Sequence, residues 1–90
     1  MKSKLIESTT DFGLVVRALR IAANLTQVDA GALCGVSGPF INDLERGKPT
    51  AQIGKILEVC HGLGVRIVAE LPHDIGELSD VPRRKPRGGR

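Results

Sequence analysis

Two sets of residues in this 90-residue chain have types that could do chemistry. The first would serve metals or catalysis: Cys34, Cys60, His61 and His73 as zinc ligands, and Ser3, Ser8, Ser37 and Ser79 as nucleophiles. No pair among the four has C-x2-C or H-x3-H spacing, and both cysteines continue apolar helical patterns, where a free thiol behaves as a small hydrophobe. The serines stand at the ends of segments, with no G-x-S-x-G and no glycine-rich phosphate loop around them. No enzyme, metal site or cofactor is expected. The second set is polar and lies between residues 42 and 52. Asn42 can pair with adenine, and Asp43 can accept from a cytosine amino group. Arg46 and Lys48 can meet phosphates, with Thr50 and Gln52 adding hydrogen bonds. That set could serve nucleic acid or be ordinary solvated charge, and Asp43 would be repelled by nearby phosphates.

Net charge does not make the case by itself. The chain carries +3, but Arg83, Arg84, Lys85, Arg87 and Arg90 crowd the last ten residues, leaving eight basic against ten acidic residues in the first eighty. Binding by the folded part must therefore rest on where individual charges stand. The basic tail either follows a DNA groove, lies on an acidic partner or is merely solvated. No apolar run approaches the roughly 20 residues of a membrane span, and the start lacks a signal peptide's apolar stretch, so a cytoplasmic protein without a membrane partner is expected.

Apolar spacing shows what must position the polar set. Thr9, Thr10 and Asp11 offer N-cap oxygens ahead of Phe12, Val15, Val16, Leu19, Ala22 and Ala23, one face of a helix over about 10–23, with Arg17 and Arg20 off that face. Asn24 and Leu25 break the pattern, Thr26 caps a second helix to residue 34, and Gly35 supplies the positive φ of a tight turn. Ser37 caps a third helix to about residue 45, with Pro39 harmless in its first turn. Ile53, Ile56, Leu57, Cys60 and Leu63 form a fourth stripe, ended by Gly64. Val65, Ile67, Ala69 and Leu71 then alternate with Arg66, Val68 and Glu70 as a strand ended by Pro72. The short 4–7 stretch is its only partner within the chain, so pairing between two copies across a two-fold axis satisfies its edge economically.

The stretch from Gln27 to Leu44 has a mechanical logic. Gly31 lets the second and third helices approach, Gly35 makes the turn, and Ala30, Val36, Ile41 and Leu44 bury the inner faces. This is a helix-turn-helix, whose second helix presents its N-terminal residues to base edges in the major groove. Phe40 stands about 100° around the helix from Ile41 and is expected to face largely outward, either on thymine methyl groups or against neighbouring side chains.

Thr26-Gln27, Gly35-Val36-Ser37, Ile41, Leu44-Glu45-Arg46-Gly47 and Leu63-Gly64-Val65 resemble the phage-repressor and Cro-like, or Xre-type, helix-turn-helix family over about residues 10–66. Within it, Glu45-Arg46-Gly47-Lys48-Pro49-Thr50 leading into a helix and then a strand resembles HipB-type antitoxins, which partner a serine/threonine kinase-fold toxin and repress their own operon. The resemblance implies that Gln27 bonds a phosphate and that the base-reading positions fall on Gly38, Pro39 and Asp43, departing from the family's usual glutamines. Gly38 has no side chain to bond with and Pro39 offers only apolar contact, so direct readout looks thin. Glu45 is read as pairing within the protein, with Arg17 as one partner.

The expected molecule is an all-α, four-to-five-helix, lambda-repressor-like domain whose C-terminal β-strand pairs in a homodimer. It divides into an N-terminal arm (1–8), the helix-turn-helix domain (9–64), a dimerisation strand (65–72) and a flexible basic tail (73–90). Its expected partner is double-stranded DNA carrying an inverted-repeat operator, contacted through Gln27, Ser37, Gly38, Pro39, Phe40, Asn42, Asp43, Arg46, Lys48 and Thr50. The alternative from another class is an interaction module that holds a kinase-fold toxin inactive and binds DNA weakly without it.

Overall fold

Hydroxyl caps start the first three helices. In the computed structural model, which describes residues 2–82, α1 spans Thr9–Ala22 behind Ser8, whose side chain accepts from the Asp11 amide at 3.1 Å. The cap thus falls one residue before the threonines that the sequence offered for it. Helix α2, Gln27–Cys34, begins where Thr26 Oγ1 accepts from the Asp29 amide at 3.0 Å and ends at Gly35, φ 76. Helix α3, Gly38–Glu45, begins where Ser37 Oγ accepts from the Phe40 amide at 3.1 Å, with Pro39 in its first turn. Helix α4, Ile53–Leu63, starts at Gln52 without a side-chain cap and stops at Gly64, φ 78. Asn24 takes φ 60 between α1 and α2, a left-handed conformation that asparagine tolerates better than most residues.

Burial follows from how these short helices stack. Val16 of α1, Ala30 and Cys34 of α2, Ile41 and Leu44 of α3, and Val59 and Cys60 of α4 are buried, with Phe12, Leu25, Val36, Phe40, Ile56 and Leu63 packed around them. Two glycines without a turn role permit this closeness. A Cβ on Gly13 would lie 2.3 Å from the Leu44 carbonyl oxygen, and one on Gly31 would lie 2.6 Å from that of Val36. Helix α3 is therefore held backbone to backbone against α1, and its junction with α2 is equally tight. The later part of the α1 stripe fares differently: Leu19, Ala22 and Ala23 are exposed.

The expected strand does not form within one chain. No strand occurs among the described residues, and residues 65–71 carry no secondary-structure ladder, because a strand needs a partner and a single copy supplies none. The 4–7 stretch does not pair with it, although Ser3–Ile6 and Val68 border one cleft. Ile67 and Val68 are 61% and 72% exposed, so the alternation buries neither face in the isolated chain. Beyond it the chain is exposed, with one short 3-10 turn at Leu78–Asp80. The basic cluster from residue 83 onward lies outside the described residues.

Candidate nucleic-acid interface

Glu45 is the centre of the polar architecture. Its side chain is 3% exposed and meets Arg20, itself 12% exposed, in a two-pronged pair: Arg20 Nε donates to Oε2 and Arg20 Nη2 donates to Oε1 at 2.9 Å. Arg20 Nη1 also donates to the Leu25 carbonyl at 2.9 Å, and Arg17 stands 3.7 Å away from Glu45 as a minor, exposed partner. The partner expected from sequence, Arg17, is thus secondary to Arg20. Burial pushes the Glu45 carboxyl up, but hydrogen bonds from Arg20 and Gln27, with the charges of Arg20 and Arg17, outweigh it and hold the group below its ordinary range. The hydrogen bond to Glu45 raises Arg20 in turn.

The same carboxylate organises the residues nearest the reading surface. Gln27 Nε2 donates to Glu45 Oε1 and to Asn42 Oδ1, each at 3.2 Å, so α1, α2 and α3 share one network. The two donors of the Gln27 amide are thereby matched by two acceptors within the protein. In this state the Gln27 side chain offers no donor to a phosphate. Asn42 has one carbonyl lone pair engaged and keeps its amide donors.

Other expected contacts sort differently. Phe40 is half-buried, packed on the core and lying under Lys55, whose Nζ is 5.5 Å from the ring centroid. The expectation that it faces largely outward is corrected: its ring packs on the core with Lys55 of α4 above it, which spacing along α3 alone does not reveal. Asp43 and Lys48 face each other at 3.4 Å, both well exposed, so each partly neutralises the other. Ser37 spends its hydroxyl on the cap, while Pro39, Arg46 and Thr50 are exposed. No acid stands in the first turn of α3, whereas Asp29 stands in that of α2, so α3 has the better end for an anion. Sequence reasoning missed Arg20 as the anchor, Lys55 and Val28; only the position of Arg20 off the apolar face hinted at a polar duty.

Two short helices joined by a glycine turn, the second buried on one face and open on the other, match a helix-turn-helix family model over residues 11–73, described as "Helix-turn-helix domain". The chain belongs to that helix-turn-helix family. A relative from Sinorhizobium fredii, the uncharacterized HTH-type transcriptional regulator y4mF, is 48% identical over 65 residues, covering 72% of this chain and 86% of the relative. Among solved structures, the restriction-modification controller protein C.AhdI from Aeromonas hydrophila aligns with a TM-score of 0.57 and 28% identity, over 64% of this chain and 84% of that one. HipB, in its O4 20mer complex, aligns with a TM-score of 0.69 and 14% identity over 79% of this chain and all of that one, a likeness of fold. This helix-turn-helix protein is thus a DNA-binding transcriptional regulator of the Xre type, with α2 and α3 as its motif. Among the described residues no helix is long and apolar enough to cross a membrane.

Proposed function

We propose that the chain binds an inverted-repeat operator as a homodimer, represses its own transcription and serves as the antitoxin of a type II pair whose toxin has a serine/threonine kinase fold. The observation that carries the repressor reading is the open outer face of α3, held rigidly by the Arg20–Glu45–Gln27–Asn42 network with an acid-free helix end at its tip. The antitoxin reading is supported by the shared fold with HipB in a HipA-HipB-O2-O3 complex, at a TM-score of 0.69. The homodimer is supported by the alternation of Val65, Ile67, Ala69 and Leu71 in an extended segment of which Ile67 and Leu71 are exposed in the single chain. The segment flanks a groove lined by Ile6 and by Phe12, Val15 and Leu19 of α1, of which Ile6 and Leu19 are exposed within the chain. A second copy adding its own 65–71 segment would build the ladder that a strand needs and cover that face. Two recognition helices would then face major-groove segments roughly 34–36 Å apart.

Arg46 and Lys48 supply phosphate contacts in this reading, so binding weakens with salt. The test is an anisotropy titration of the full chain, alone, against DNA from upstream of its own gene and against a scrambled duplex at two salt concentrations. Tight, salt-dependent preference for the upstream duplex supports the repressor, and Lys48→Ala then lowers the salt slope by about one for each phosphate no longer neutralised. Equal, weak binding to both duplexes favours the second reading, an interaction module that acts chiefly on a toxin. The scarcity of free polar groups at the tip of α3 is the observation on that side.

A further inference from the structure

The tip of α3 is short of polar chemistry. Gly38 has no side chain, Ser37 Oγ is taken by the Phe40 amide at 3.1 Å, and Phe40 packs inward beneath Lys55. What remains exposed there is apolar: Pro39, and Val28 from α2, which is 70% exposed. They come together because the starts of the two helices touch. A Cβ on Gly38 would lie 3.2 Å from Val28 Cγ2 and 3.3 Å from its Cα, so the missing side chain leaves the isopropyl group bare against Gly38, the residue that Pro39 follows. A solitary exposed valine needs no explanation. This one borders the acid-free N-terminus of the reading helix, where the helix dipole and the Gly38 N–H favour a partner that carries phosphates.

A base edge in the major groove offers one apolar group, the 5-methyl of thymine. We propose that Val28, Gly38 and Pro39 form an apolar seat for a thymine 5-methyl group in each operator half-site. Val28 is then a specificity-determining residue contributed by α2, although α3 is the reading helix. The proposal rests on the operator-binding reading above. Removing one methyl from such a contact weakens binding about fourfold, and removing one from each half-site about fifteenfold.

The test selects binding sites from a random-core duplex library with the full chain. It then measures the affinity of the enriched duplex with deoxyuridine replacing each symmetry-related thymine pair in turn, for wild type and Val28→Ala. The expected result is one thymine pair whose replacement costs the wild type about fifteenfold and costs Val28→Ala a few-fold at most. The melting temperature of the variant should be unchanged, because the side chain is exposed. Enriched sites with no fixed thymine, or an equal deoxyuridine penalty in both proteins, overturn the methyl seat while leaving operator binding intact. A library from which no sequence is enriched overturns the operator-binding reading itself, and the seat with it.

Discussion

At the scale of single residues, the buried Glu45 carboxylate is where charge and stability meet. Removing one partner from a buried pair leaves the other charged and poorly solvated, which costs about 3–5 kcal/mol. Arg20→Ala is expected to lower the melting temperature by about 10 °C or more, while Arg17→Ala, touching an exposed and longer pair, changes it little. The acid response has a definite sign. The folded-state value of Glu45 is depressed, so its contribution is complete above the unfolded value of about 4.3 and fades as the pH falls through the lower folded value. The difference in melting temperature between wild type and Glu45→Gln should therefore be largest near neutrality and shrink in acid. A difference that stays constant with pH would show that the carboxylate is not held by charge. Phe40 belongs at the same scale. Because its ring is half-buried in the core periphery, Phe40→Ala should cost about 2 kcal/mol of stability in denaturant titrations and leave the order of preference among DNA sequences unchanged.

At the scale of elements, close backbone approach decides the geometry of the motif. Gly13 and Gly31 act through absent volume, whereas Gly35 and Gly64 act through positive φ at helix ends. The contrast between Gly13 and Gly54 tests this. A methyl on Gly13 meets the Leu44 carbonyl at 2.3 Å, so Gly13→Ala must push α1 away from α3 and should cost several kcal/mol, about the scale of a buried cavity or clash. Gly54, in α4, has nothing within 4 Å of the added methyl, so Gly54→Ala should stabilise by about 0.5 kcal/mol through helix propensity. Thermal melts of the two variants check both signs. The loop after α3 is tied down as well, since Thr9 Oγ1 donates to the Gly47 carbonyl at 2.7 Å, which fixes where Arg46 and Lys48 emerge.

At the scale of the whole molecule, apolar surface is left over on one side. Leu19 of α1 and Ile67 of the extended segment flank one groove, and Leu5 and Val68 border the cleft beside it; all four are exposed in the single chain. If a second copy covers them, a charge placed in the middle should separate the copies. Ile67→Asp is expected to shift the protein from dimer to monomer in sedimentation velocity without unfolding it, because residue 67 lies outside the four-helix core. Operator affinity should fall steeply, since two linked half-sites become two independent ones. A variant that stays dimeric would place the interface elsewhere.

How much of this was legible from the chain follows the range of the interactions involved. Caps at Thr26 and Ser37, the turn at Gly35 and the stops at Glu45 and Gly64 depend on groups a few residues apart, so the residue types sufficed to locate α2, α3 and the end of α4. The apolar stripes likewise marked Val16, Ala30, Ile41, Leu44 and both buried cysteines as interior. The site was less legible because its decisive bonds join residues far apart. Gln27 meets Asn42 across 15 residues, and Arg20 meets Glu45 across 25. No local pattern tells which arginine reaches a carboxylate, which way an amide turns or whether an aromatic ring rolls under a neighbouring helix. Those outcomes were decided by how closely glycines let the helices pack. The alternating 65–71 segment shows the same division: its period marks an extended chain, but a ladder needs a second strand, which tertiary or quaternary structure must supply.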